Sequence, residues 1–259
     1  MKRMEITSSF SNMRPYPNKS SNIISQVLFG EEVEVISEED QWIYCTNLID
    51  NYKGWLNKET LGIPSKKTHF IKQIRTAVLE KPDVKSNLIK FISIRSQVNV
   101  DQINGNWAKI ELKDNRNQGY INLNSLFDKL STEVNPLYFA KKFLGIPYRW
   151  GGRDSSGIDC SALIRLSLSF TGDFLPRDTI DQYQYFKNSK HYKIIEDLNP
   201  MNNISSNDLI YWPGHIAMFA DEDNMIHASA YHGGVVIEKK EMALNRIKKK
   251  PIIIKNLNS

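Results

Sequence analysis

Cysteine is scarce: only Cys45 and Cys160 occur in 259 residues. Two thiols exclude a disulfide framework, and they do not look like a pair, because Cys45 sits in the strand-like run Trp42-Ile43-Tyr44-Cys45. Long apolar runs are missing too, so no segment is expected to span a bilayer. The opening Met1-Lys2-Arg3-Met4-Glu5-Ile6-Thr7-Ser8 lacks the apolar stretch of an export peptide, and with reduced thiols this sets the expectation of a cytoplasmic protein. Neither sign of charge dominates, since Lys and Arg number 34 against 29 Asp and Glu, a net charge of +5. Basic residues cluster only at Arg246, Lys248, Lys249 and Lys250, which read as a solvated loop before a closing strand. Such a field favours capture of acidic ligands, but no nucleic-acid motif accompanies it.

What is present centres on Cys160. It lies in Tyr148-Arg149-Trp150-Gly151-Gly152 … Gly157-Ile158-Asp159-Cys160-Ser161-Ala162-Leu163, where a glycine-rich loop gives way to an amphipathic pattern. A helix start offers unpaired backbone N–H groups and the positive end of the macrodipole, which favour thiolate over thiol and can receive an oxyanion. Flanking Asp159 and Ser161 make a poor setting for an inert core thiol. Downstream, His215 follows Trp212-Pro213-Gly214 and opens the apolar run Ile216 to Ala220, the place for a base on the first residue of a strand. His227, in Met225-Ile226-His227-Ala228-Ser229, is placed on a second strand to orient that imidazole. His232, before Gly233-Gly234, is its rival, although a turn is a worse platform for orienting another side chain. His69 and His191 fall in an inter-domain stretch and a polar loop and carry no expected function.

These residues resemble the signature of the NlpC-type family of papain-like cell-wall peptidases, in Tyr148 to Gly152, Asp159-Cys160-Ser161, Gly214-His215 and His227. The resemblance implies a cysteine peptidase that cuts the γ-D-glutamyl to diaminopimelate (or L-lysine) bond of peptidoglycan stem peptides. It assigns Cys160 as nucleophile, His215 as base, His227 as orienting residue and Tyr148 as a hydroxyl that helps hold the oxyanion, with no cofactor and no metal. Ala162 stands where the family usually has glycine, a small change within a helix.

Leu175-Pro176-Arg177-Asp178-Thr179 precedes a helical pattern through Ile180, Tyr183 and Phe186. From the residues alone, Asp178 or Thr179 is a helix cap. Its similarity to an Arg-Asp-Ser/Thr motif of the subfamily specialised for free murein peptides implies instead that Asp178 binds the amino group of an N-terminal L-alanine. A buried carboxylate matched to an ammonium would reject a peptide still amide-linked to glycan. Arg177, Thr179, Asp159 and Ser161 are further candidates around the substrate's polar groups.

The N-terminal half repeats itself. A shift of 65 positions carries Val33 and Val35 onto Val98 and Val100, Trp42 onto Trp107, and Gly54-Trp55-Leu56 onto Gly119-Tyr120-Ile121 without a gap. Alternating runs such as Glu32-Val33-Glu34-Val35 between turn residues indicate two small all-β barrels. Both resemble bacterial SH3-like domains, which commonly bind cell wall. In the free-peptide subfamily the first of them contributes an aromatic residue to the substrate pocket, and Tyr52 is the candidate; Trp42, Trp55, Arg14 and Arg75 read as structural or surface residues.

The expected architecture is α+β: SH3-like domains over 1–64 and 65–130, then a papain-like peptidase domain over 131–259. Its helices are expected at Leu137 to Leu144, Cys160 to about Phe170 and Asp178 to about Lys187. Strands at Leu209 to Trp212, Ile216 to Ala220, Met225 to Ser229, Val235 to Lys239 and Ile252 to Lys255 should form an antiparallel sheet against the Cys160 helix. The expected partner is a peptidoglycan-derived peptide, L-Ala-γ-D-Glu-diamino acid, with no nucleic acid and no membrane. A wall-anchored endopeptidase acting on intact peptidoglycan and a non-catalytic wall-binding protein are the competing readings.

Overall fold

The computed structural model describes residues 2–113, 116–127, 135–196 and 204–257. The chain divides into two compact units, Met1–Leu130 with Arg153–Ser155, and Ser131–Gly152 with Ser156–Ser259.

The first unit begins with β1 (Arg3–Ile6), β2 (Phe10–Met13), β3 (Ser25–Leu28), β4 (Glu32–Glu39), β5 (Trp42–Asn47), β6 (Lys53–Asn57) and β7 (Leu61–Gly62). They make a sheet of order β6-β5-β4-β1-β7 and a β2-β3 hairpin around Ile6, Met13, Val33, Ile43, Cys45 and Leu56. Burial alone pushes the Cys45 thiol up to about 12, so it is an inert core residue. Eight strands follow: β8 (His69–Ile71), β9 (Arg75–Leu79), β10 (Leu88–Ser93), β11 (Gln97–Val98), β12 (Val100–Asn104), β13 (Trp107–Glu111), β14 (Gln118–Asn122) and β15 (Leu126–Phe127).

The repetition extends to details no composition would reveal. Trp42 pairs with Asn57 and Trp107 with Asn122, and each asparagine side chain then caps a 3-10 turn, on Glu59 N and Asn124 N, both at 2.9 Å. The ladder slips between Val35 and Ser37 in the first run and between Val100 and Gln102 in the second, a bulge at equivalent positions. Gly54 and Gly119 are equivalent as well. A Cβ on Gly54 would stand 2.5 Å from Met13 Cγ, and one on Gly119 would stand 2.5 Å from Val78 Cγ1. A core side chain therefore crosses against bare backbone in both runs.

The second unit starts with α1 (Pro136–Lys142), capped by Asn135 Oδ1 on Leu137 N at 2.9 Å, with proline at its first position. Two short strands, β16 (Arg153–Asp154) and β17 (Gly157–Ile158), lie in the loop that leads to α2 (Cys160–Leu168). Then come α3 (Thr179–Asn188), β18 (Tyr192–Ile195), β19 (Leu209–Trp212), β20 (His215–Phe219), β21 (Asn224–Ser229), β22 (Gly234–Lys239), α4 (Lys240–Arg246) and β23 (Ile252–Asn256). The sheet order is β18-β23-β19-β20-β21-β22, antiparallel at each described pair.

Period-2 alternation assigns its faces. Ile210, Trp212, Ala217, Phe219 and Met225 cluster with Ala243 of α4, so the intervening residues of β20 turn to the other side, where α2 packs. The segment before α2 covers the outer edge of β22: Gly145 N donates to Val235 O at 3.0 Å, Val235 N to Ile146 O at 2.9 Å, and Tyr148 N to Gly233 O at 2.9 Å. No helix among the described residues is long and apolar enough to cross a membrane. Strand β18 and helix α4 were not expected from sequence; α4 buries only Ala243, too little for an apolar stripe.

Candidate active site

Cys160 is the first residue of α2 and only 5% exposed. Asp159 builds that helix start. Its Oδ1 accepts from Ala162 N at 2.9 Å and from Ser161 Oγ at 3.1 Å, while Oδ2 accepts from Gly151 N at 2.9 Å. Arg177, 2% exposed, donates to both carboxylate oxygens and, at 2.6 Å, to Ser161 Oγ. Three of the polar residues expected around a substrate thus hydrogen-bond to one another beneath the cysteine. Gln182 of α3 ties the same region together by donating to Ser161 O and Pro176 O, each at 3.0 Å.

The thiol's ionisation differs from the expectation that a helix start would favour thiolate. Burial, with Asp159's charge acting the same way, pushes Cys160 up to about 12, and backbone hydrogen bonds from Ile216 and Ser161 and the charge of Arg177 only partly offset this. The helix terminus is present, but its capping carboxylate supplies the opposite field. The resting group is a neutral thiol beside the backbone of Ile216, the neighbour of His215.

His215, first residue of β20, pairs in register with Trp212. Its Nε2 lies 2.8 Å from Nδ1 of His227, which is fully buried in β21. The structure thus brings together these two histidines, and His227 rather than His232 reaches His215. Burial, then the neighbouring His227, pushes His215 down to about 3; burial likewise pushes His227 down to about 4. Both are neutral at pH 7.

Sequence reading missed Glu238. It stands on β22, two residues beyond Val236, the partner of His227 in the ladder, and therefore on the same face. Its Oε2 is 3.0 Å from His227 Nε2, off the line of a well-formed hydrogen bond, and 3.4 Å from His232 Nε2. Arg246 of α4 donates to both oxygens, at 2.7 Å to Oε2, and its guanidinium lies 4.6 Å from the Tyr231 ring centroid. Glu238 is pushed down to about 2: burial, the largest effect, opposes ionisation, but Arg246, His227 and His232 together outweigh it. A charged residue near a strand end ordinarily reads as solvated, which is why no local signal points to it.

His227, His232 and Glu238 are also the one group of described residues whose ligand atoms converge closely enough for a metal ion, within 4.8 Å. Arg246 on both carboxylate oxygens opposes a cation there. A cavity of about 250 Å³ opens on His215 and His227 between Trp212, Gly214, Tyr231 and Arg246.

Tyr148 bridges to Ile158 through its backbone. Its phenol is pushed up to about 12 by burial first, and then by Cys160 in its ionised form and by the Asp159 carboxylate, so it is a neutral hydrogen-bond donor near the thiol. Asp178 occupies the N-cap position of α3 with extended backbone, yet its side chain makes no capping hydrogen bond; Thr179 is the first helical residue. Both are half-buried. Tyr52, in the first unit, packs half-buried against the core around Met13 and Leu56.

A thiol at a helix start, hydrogen-bonded to the backbone of the strand that bears one of two paired histidines, is the set of parts a cysteine peptidase uses. Residues 145–250 match the NlpC/P60 family, and residues 13–61 match the bacterial dipeptidyl-peptidase Sh3 domain. The chain is 24% identical over 250 residues to dipeptidyl-peptidase 6 of Lysinibacillus sphaericus, covering 86% of each. It is 24% identical over 242 residues to the γ-D-glutamyl-L-lysine dipeptidyl-peptidase of Bacillus subtilis, covering 81% of this chain and 73% of that one. An NlpC/P60 family protein from Bacillus cereus has the same fold, with a TM-score of 0.79 at 17% identity over 97% of this chain and 98% of that one. The chain therefore carries an NlpC/P60 domain over residues 145–250 and a bacterial dipeptidyl-peptidase Sh3 domain over 13–61, and it is a cysteine peptidase whose catalytic fold is papain-like, mostly sheet with some helices.

Proposed function

We propose that the enzyme cleaves the γ-D-glutamyl to diamino acid bond of peptidoglycan stem peptides whose N-terminal L-alanine is free, in recycling of murein peptides within the cytoplasm. The observation that carries the chemistry is the His215–His227 pair at 2.8 Å, on the strand whose Ile216 backbone bonds the Cys160 thiol. The specificity is supported by the likeness to two dipeptidyl-peptidases that this chain covers over most of their length. In this mechanism Cys160 sulfur attacks the γ-carbonyl of D-glutamate as its proton passes to His215. His215 returns that proton to the departing amine, leaving a thioester that water hydrolyses to restore the thiol. Tyr148 and the Cys160 backbone N–H hold the oxyanion, a contribution of about 3 kcal/mol per donor.

Asp178, at the N-cap position of α3, is the counter-ion proposed for the L-alanine ammonium, with Thr179 beside it. Asp159, Ser161 and Arg177 support the site by holding the helix start. The second run of strands, repeating the first in pairing, bulge and caps, is proposed as a second SH3-like module. Cys160→Ala should abolish release of L-Ala-D-Glu from L-Ala-γ-D-Glu-diaminopimelate, measured by product chromatography, while tripeptide binding persists. Turnover in that variant refutes the mechanism. N-acetylation of the L-alanine should remove turnover by wild-type enzyme, and undiminished cleavage of the acetylated peptide or of intact sacculi would favour a wall-active endopeptidase, the activity named for the Mycobacterium tuberculosis relative RipB, 28% identical over 111 residues.

A further inference from the structure

Among the buried ionic groups of the second unit that the mechanism above does not use is the carboxylate of Glu238. We infer that Glu238, clamped by Arg246, is a positioning residue that fixes the proton positions on both histidines and so decides which nitrogen of His215 faces the thiol as a base. This inference rests on the reading of Cys160 and His215 as nucleophile and base.

The argument begins at His227 Nε2. It is fully buried, has no well-formed hydrogen bond, and has the Glu238 Oε2 oxygen 3.0 Å away. An unprotonated Nε2 would set a lone pair against a carboxylate oxygen. A proton there makes the contact attractive, so the neutral ring carries it on Nε2. Nδ1 of His227 then holds only a lone pair, and His215 Nε2, 2.8 Å away, must be the donor. With its one proton on Nε2, neutral His215 keeps the Nδ1 lone pair, the one available to accept from sulfur. Proton order therefore runs from Glu238 through His227 to His215 across the adjacent strands β22, β21 and β20.

The carboxylate can enforce this only if it stays charged and stays put. The groups facing it are His227 on β21, His232 in the following turn and Arg246 on α4, with the Tyr231 ring against the guanidinium; His215 is the next charge-bearing group along the chain. Arg246 holds both oxygens and leaves the face of one of them to His227. His232 also reaches that oxygen, at 3.4 Å and from a partly exposed turn, and is not required for the order.

Glu238→Gln tests this. Arg246 claims the amide oxygen, which turns the NH2 group toward His227, favours a lone pair on Nε2 and reverses both rings. With L-Ala-γ-D-Glu-diaminopimelate as substrate, kcat should fall about 100-fold or more with KM changed less than threefold, since a wrong tautomer leaves binding intact. The acid limb of the kcat/KM profile should also move to lower pH, because Glu238's charge favours protonated His215. Glu238→Asp should recover part of kcat, and His232→Gln should stay within threefold of wild type. Nitrogen-15 NMR of the unmodified enzyme, which needs no variant to fold, should show protonated Nε2 and bare Nδ1 on His227. A protonated Nδ1 there, or Glu238→Gln with wild-type kcat and acid limb, overturns the inference. If wild-type enzyme does not cleave the peptide, or Cys160→Ala does, the mechanism it rests on is what has failed.

Discussion

Replacing Asp159 by asparagine removes one charge and little volume from beside Cys160. Asparagine keeps an oxygen for Ala162 N, so the helix cap largely survives, and what is lost is the counter-ion of Arg177, whose side chain is 2% exposed against 7% for Asp159. Removing one partner of a buried pair costs about 3–5 kcal/mol, because the remaining charge is left uncompensated. For a unit of this size that corresponds to a fall in Tm of about 10–15 °C, read by calorimetry. Arg177→Met should cost a similar amount, yet the double variant should be less damaged than either single one. The two changes also separate in thiol chemistry. Asp159 raises the Cys160 pKa and Arg177 lowers it, so iodoacetamide should alkylate Cys160 faster in Asp159→Asn and slower in Arg177→Met at one pH. A loss below about 1 kcal/mol in Asp159→Asn, or strictly additive losses in the double variant, would refute the idea that one buried ion pair organises the helix start.

Two further expectations concern stability. His215 and His227 both have folded values below the ordinary 6.5, so the unfolded chain binds more protons, and stability present above about pH 6.5 should be lost progressively as the pH falls toward 4. At pH 4.5 the loss is on the order of 2 kcal/mol per histidine, and urea titrations of His215→Gln and His227→Gln should show a flatter pH dependence. In the repeated strands, Gly119→Ala should destabilise more than Gly54→Ala, because β-branched Val78 cannot yield as flexible Met13 can; about 1–3 kcal/mol is expected for Gly119→Ala, and equal midpoints in urea would contradict the packing described.

Much of this was legible in the chain itself because the signals were local. Cys160 at a loop-to-helix junction and His215 after Trp-Pro-Gly are placed by turn chemistry, and the strands from β19 to β23 follow alternation to within a residue or two. The 65-residue repeat was equally plain, since Val33, Val35, Trp42 and Gly54 recur as Val98, Val100, Trp107 and Gly119, whereas the matching bulges and asparagine caps show only in the structure. What escaped depends on tertiary neighbours. The neutral state of Cys160 follows from burial and from Asp159's second role as a cap. Arg177 looks like a substrate ligand until Asp159 is seen to occupy it, and Glu238 looks solvent-facing until α4 brings Arg246 across the sheet. Asp178 carried two meanings in sequence, cap or ligand; the absence of a side-chain capping bond bears on that choice only once coordinates exist.

The stretch from Gly145 to Tyr148 works along β22 as a partial seventh strand. Exposed sheet borders invite copies of the same protein to add on and grow into aggregates, and here the chain's own backbone plugs one border. That plug also carries the phenol beside the thiol. A substitution that peels it away, at Ile146 or Pro147 for example, would therefore be felt twice, as stickiness in concentrated solution and as a phenol displaced from Cys160.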